Sequence, residues 1–213
     1  MNASDLNAVT SSTSTSPKNS RPLARVLTEV FAPWVIVLML PLAVAWRATH
    51  APIPTVLWGL LVALTSSIIP MGVIVWGART KRWEGHHVRN REGRLIPFLT
   101  LIVSSLGGVA ALIIASAPWP LIALDISMLV TLVVGGLITI FWKISMHTAV
   151  AGGTVIILAA TYSPALWVTA VVVAAVGWSR VVLNDHTSAQ VTAGAVIGAA
   201  VGGGLYAVLV TQT

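Results

Sequence analysis

Long apolar stretches alternate along this chain with short breaks that carry proline or charge. Stretches at 30–46, 56–77, 95–116, 121–142, 144–162, 165–183 and 189–210 have the length and hydropathy of membrane-crossing helices. Three of the breaks are set by proline, which cannot continue a helix and pushes its predecessor out of helical geometry. They are Ala51-Pro52-Ile53-Pro54, Ala117-Pro118-Trp119-Pro120 and Ser163-Pro164. The break at 78–94 is marked by charge instead. The stretch 144–162 is the weakest of the set, with Gly152-Gly153 inside it and polar groups at its start. Lipid offers backbone groups no partner, so spanning segments must be helical. The pattern predicts an all-α fold, a polytopic transmembrane bundle of about six to seven helices. Residues 1–27 are rich in Ser, Thr and Asn, lack an apolar period and are expected to form a disordered tail ahead of a helical domain over 28–213. That polar stretch is too long for a secretory signal and lacks a small-residue cleavage site.

Composition agrees with the pattern. Of 213 residues, 56% are hydrophobic and 8% charged, where a soluble domain carries about 25% charged residues. An integral membrane protein is expected. The absence of cysteine excludes disulfides, thiolate metal sites and a cysteine nucleophile. The acids Asp5, Glu29, Glu84, Glu92, Asp125 and Asp185 show no carboxylate pair at the spacing that grips a magnesium diphosphate. No metal or cofactor is expected. The net charge of +6, on so apolar a chain, points to lipid head groups and phosphorylated lipids and away from nucleic acid. The tryptophans read as interfacial anchors, and Asp125 as a cap or interface residue.

The order of the stretches places three polar junctions on one membrane face. These are the basic loop at 78–94, the segment Lys143–His147 and the segment Arg180–His186, each separated from the next by two crossings. The N-terminal segment shares that face, and Arg47 alone among the basic residues falls opposite. Lys18, Arg21, Arg25, Arg79, Lys81 and Arg82 then argue that the face is cytoplasmic. Ionisable groups at such junctions are costly unless they pair or work. Two histidines, His147 and His186, each follow a basic residue there. Arg89, Arg91 and Arg94 sit against the start of a helix, where guanidinium groups can hold phosphate through paired bonds.

Ser145-Met146-His147, followed by Ser179-Arg180, five residues and His186, resembles the type 2 phosphatidic acid phosphatase superfamily. The similarity covers roughly residues 80–205, with Arg94 and Pro97 standing loosely for that family's first motif. His186-Thr187-Ser188-Ala189-Gln190 is similar to the variant found in dolichyl-diphosphatase-like members, where glutamine replaces the usual aspartate. Ile144 and Met146 replace the proline and glycine of the second motif, and no lysine matches the first.

The resemblance implies a metal-independent phosphatase acting on a lipid phosphate or diphosphate through a phosphohistidine. A polyprenyl mono- or diphosphate is the first expected substrate and a phosphatidate-type lipid the second. His186 would attack phosphorus and His147 would protonate the leaving oxygen. Gln190, one helical turn after His186, can reach its other ring nitrogen, though an amide stabilises imidazolium less than a carboxylate does. Arg94 and Arg180, helped by Arg89 or Arg91, would hold the phosphoryl oxygens, with Ser145 and Lys143 contributing. The alternative is a catalytically impaired relative that binds phosphorylated lipids or a membrane partner. A solute transporter is disfavoured, because the middles of the helices carry almost no ionisable residues. Tail length, preference for mono- or diphosphate and oligomeric state are not encoded legibly.

Overall fold

The computed structural model describes residues 20–79 and 92–212, which are helical with short connections and contain no strand. Helix α1 (Ser20–Val30) meets α2 (Pro33–Thr49) at a bend of 44°. Helix α3 (Pro52–Ala63) runs through a π-helical turn at Leu64–Ile68 into α4 (Ile69–Arg79). Helices α5 (Glu92–Ile114), α6 (Trp119–Phe141) and α7 (Met146–Thr161) follow, and a 3₁₀ turn at Pro164–Thr169 leads into α8 (Ala170–Val182). Finally α9 (Ser188–Ile197) continues through a π-helical turn at Gly198–Gly203 into α10 (Gly204–Thr211).

Prolines start the helices where the sequence places them. Pro33, Pro52, Pro120 and Pro164 occupy first-turn positions, whose N–H groups would have no helical partner in any case. His50, Ser116 and Asn184 adopt left-handed backbone angles just beyond α2, α5 and α8, turning the chain back at each end. Among the described residues, four segments are long and apolar enough to cross a membrane: Pro52–Gly77, Trp119–Phe141, Pro164–Val182 and Ser188–Thr211. The bent α1–α2 pair makes a fifth, while Phe98–Ile114 and Met146–Thr161 are apolar but shorter. The outward faces are correspondingly greasy, with Ile53, Ile114, Phe141 and Val168 among the most exposed side chains.

Helix α1 begins at Ser20, inside the stretch expected as a tail, whose residues 1–19 lie outside the described residues. Its residues alternate with helical period. Leu23, Val26 and Val30 form an apolar face, Arg21, Arg25 and Glu29 a polar one. Ala24 and Thr28 are buried where α1 packs on α8. Thr28 Oγ1 lies 3.1 Å from Ser179 Oγ. The Ser179 hydroxyl donates its proton to Val176 O at 2.7 Å, so Thr28 is the donor to Ser179.

Helix α7, the weakest stretch in the sequence, stands at the centre of the bundle. It packs on α2, α8, α9, α10 and the Gly198–Gly203 turn. Its contact with α9 is close because glycines line it. A side chain added at Gly194 would strike Ser145 O, one at Gly198 would strike Ala149 O, and one at Gly152 would come within 2.5 Å of Ala195 O. Small residues four apart on α9 therefore let two backbones touch, as small-residue stripes do between membrane helices. The two helices run parallel, so both begin at the same end of the bundle.

Asp125 is corrected from a cap to a core residue: it is fully buried in α6. Its Oδ1 accepts from Ser66 Oγ at 2.8 Å, and its Oδ2 has no partner among the described residues. Ser66 lies in the Leu64–Ile68 π turn, which Pro70 enforces. The Ile69 N–H bonds Leu64 O, and proline five residues after Thr65 has no N–H to offer it. Thr65 O takes the Ser104 hydroxyl from α5 instead.

The glycine contact makes two substitutions diverge. Gly198→Val drives a side chain into backbone, so the protein is expected to lose more than about 3 kcal/mol or fail to fold. Gly177 faces Thr148 and Val191 at an ordinary 3.7 Å. Gly177→Ala is expected to shift the thermal midpoint little, as a detergent melting curve would read directly.

Candidate active site

The two helix starts that α7 and α9 bring together carry the polar residues singled out above. Ser145 caps α7. It is fully buried, its hydroxyl accepts from Thr148 N at 3.4 Å, and its N–H donates to Gln190 O at 3.3 Å. Thr148 Oγ1 bonds both Ser145 O at 3.1 Å and Val191 O at 2.8 Å, clamping the two starts together. The Ser145 hydroxyl expected to touch a phosphate lies at this buried cap. Buried and engaged, it holds the turn that presents His147.

The spacing Ser179-Arg180-x5-His186 has a local cause. Helix α8 ends with the N–H groups of Asp185 and His186 both bonded to Arg180 O, at 3.1 and 3.3 Å, around left-handed Asn184. The turn folds His186 back beside Arg180. It also lets Asp185 Oδ2 meet Arg180 Nη2 at 3.1 Å. Lys143, from the α6–α7 connection, donates to Asp185 O at 2.9 Å and ties the two junctions to each other. Arg180 Nε is buried without a hydrogen-bond partner among the described residues. A charged donor left in that state costs at least about 1–3 kcal/mol, which an anion arriving at that edge would recover.

Gln190 serves two groups with one atom. Its Oε1 accepts from Thr187 N at 3.1 Å, completing a capping box in which Thr187 Oγ1 accepts from Gln190 N at 3.3 Å. The same Oε1 lies 3.3 Å from His186 Nδ1. A backbone N–H can only donate, so the Gln190 atom facing it is the oxygen and not the amide nitrogen. His186 Nδ1 must then carry the proton that bonds this oxygen, which leaves the Nε2 lone pair free. The site thus fixes a tautomer through a helix cap.

Electrostatics set the charge of that ring. Burial pushes the His186 imidazole below its ordinary value, and the nearby Lys143 ammonium adds to the effect. The Gln190 bond opposes them, Arg180 reinforces them, and Asp185 opposes them. His186 is neutral at pH 7, the form in which imidazole is a nucleophile. His147, half-buried in the first turn of α7, lies within electrostatic reach of Arg180, His186 and Asp185.

The structure therefore gathers Lys143, Ser145, His147, Arg180, His186 and Gln190 at one end of the bundle. Arg94 is placed by its backbone alone. It sits one turn before Phe98, whose ring packs on Gly136 near the α6–α7 connection, so α5 starts at this same end. Arg89 and Arg91 lie outside the described residues. Asp185 was not among the expected site residues, although its position before His186 is plain in the sequence. Its pairing depends on the α8 turn, which spacing alone does not reveal. Among the described residues no three His, Asp or Glu side chains gather to hold a metal ion. The chain matches no family model, no curated protein and no solved structure.

The charge relation is testable without any assay of activity. In wild-type protein, the His186 ring followed by NMR is expected to titrate below about 6.5, the ordinary value. Lys143→Met removes a cation that disfavours imidazolium, so the titration should move upward. An unchanged curve would remove Lys143 from the account.

Proposed function

We propose that this chain is an integral membrane phosphatase of lipid phosphates or diphosphates, related to the type 2 phosphatidic acid phosphatases and working through His186. The observation that carries the reading is the orientation of one ring: Gln190 takes the Nδ1 proton and Nε2 is left as a free lone pair beside Arg180. A neutral, oriented imidazole next to a buried guanidinium with an unfilled donor edge is what attack on a phosphoryl group requires.

The proposed steps follow from these positions. The phosphoryl oxygens sit against Arg180, with the first-turn N–H groups of α7 and α9 supplying partial positive charge. Arg94 starts α5 at this same end and is proposed as a further cation for the phosphate. Nε2 of His186 attacks phosphorus in line, forming the P–N bond as the P–O bond to the leaving group breaks. His147, protonated once the bound phosphate's negative charge offsets Arg180, gives that proton to the departing oxygen. Water then attacks the phosphohistidine, passing a proton to His147 as the P–N bond breaks and inorganic phosphate leaves. Asp185 offsets part of the positive charge that builds on His186 in the first step, work that the Gln190 amide cannot do. The substrate is proposed to be a polyprenyl phosphate or diphosphate ahead of a phosphatidate-type lipid. The site is proposed to face the cytoplasm, from the arginines at 21, 25 and 79.

A second reading has a specific observation behind it. Asp185 already occupies one edge of Arg180, and the orienting residue is an amide. A protein that binds phosphorylated lipids without turning them over would show both features.

Phosphate release by the purified protein in detergent separates the two. His186→Ala is expected to abolish release, and wild-type release from that variant would overturn the proposal. His147→Ala should lower turnover about 10²–10⁴-fold on alkyl phosphates and much less on p-nitrophenyl phosphate, whose leaving group needs no proton. The acid limb of the rate profile should track the depressed His186 titration, activity falling as pH drops through it.

A further inference from the structure

A cleft of about 630 Å³ opens between α8 and α9, floored by α7. Its mouth is built from the neighbours of the site residues: Thr148 follows His147, Val181 follows Arg180, and Ser188 follows Thr187. From there the walls become apolar and small, with Gly152, Ala174, Gly177 and Ala195 along them and Trp167 at the far end. Along α9 and its continuation the lining runs from Ser188 to Ala199, about 16 Å of helix. That is roughly half the thickness of a bilayer's hydrocarbon core. The cleft is open along one side.

We infer that this cleft seats a single hydrocarbon chain of the substrate, its phosphorylated end at His186 and its first carbons against Val181 and Ser188. The inference rests on the lipid phosphate reading above and adds the place and extent of the tail. Continuity decides the occupant. All three segments that carry site residues also line the mouth, so a chain esterified to a phosphate held at Arg180 has the cleft directly beside it. A hydrocarbon entering it meets apolar walls at once and loses its contact with water. The gap lies between two helices that also touch each other, and its volume is ample for a hydrocarbon chain over this length. The α7–α9 glycines that assemble the site also set the floor, since Gly152 lies in both. Chains longer than the cleft would extend past Trp167 into lipid without adding protein contacts.

The test uses substrates of graded length, from dimethylallyl through geranyl and farnesyl to geranylgeranyl monophosphate, with p-nitrophenyl phosphate as the tail-less reference. In wild-type protein, kcat/KM is expected to climb with length and then level off, spanning at least about tenfold. Ala174→Phe, from an exposed wall of the cleft, and Gly177→Leu, nearer its mouth, should each make the plateau arrive at a shorter chain. The ratio of geranylgeranyl to p-nitrophenyl phosphate turnover should fall with them.

Thermal protection by geranylgeranyl phosphate, compared with inorganic phosphate, provides the readout independent of turnover. No hydrolysis of any substrate by wild-type protein would sink the phosphatase reading. Length-dependent protection that either substitution shortens would still uphold the tail site. Equal protection in wild type and both variants would overturn it. A dimer that dissociates on Ala174→Phe while length dependence stays intact would instead assign the cleft to a second copy of this chain.

Discussion

The contact between the α7 and α9 backbones is the constraint from which the polar end of this bundle follows. Two parallel helices ordinarily sit 8–10 Å apart, separated by their side chains. Here Gly152, Gly194 and Gly198 remove those side chains, and carbonyls of one helix lie against Cα atoms of the other. The closeness brings Ser145 N–H to Gln190 O and Thr148 Oγ1 to Val191 O. Each such bond is worth about 1 kcal/mol by itself. Together they fix two helix starts to one register, so His147 and His186 share one site although they lie on separate segments.

Charge is arranged with comparable economy. Burial, then Lys143 and Arg180, hold His186 neutral, while Asp185, paired to Arg180, opposes them. Much of the site lies at helix ends, where backbone groups lack helical partners and side chains must supply them. The Asp125 pocket shows the same rule inside the bundle. There Pro70 deprives Thr65 O of its helical donor, and Ser104 from a neighbouring helix makes up the loss. An apolar bundle tolerates polar groups only where such accounts balance.

How much of this was legible depends on the kind of signal. Helix limits were readable at the proline breaks near 52, 118 and 164, because a missing N–H acts locally, but not at Pro33, which lay inside the stretch at 30–46. The α8 turn was half-visible: the spacing of Arg180 and His186 showed, but the Asp185 pairing needed the left-handed residue at 184. Helix α7 misled by its composition. It is glycine-rich and short because it is surrounded by protein, and a central helix needs neither a lipid-facing surface nor a full crossing length. Helix α1 was hidden by its three charged residues, which lie on one face of a helix too short to notice beside the Ser/Thr run. The tertiary partner of Asp125 could not be read, since Ser66 lies far away in sequence on another helix.

One oxygen, Gln190 Oε1, answers both a backbone amide and an imidazole. The His186 ring is therefore coupled to the winding of the first turn of α9. While that turn is wound, the imidazole is latched; when it unwinds, the same event releases the ring to rotate and frees the Thr187 amide to exchange with solvent. Ring rotation and local melting at this position share a single microscopic clock.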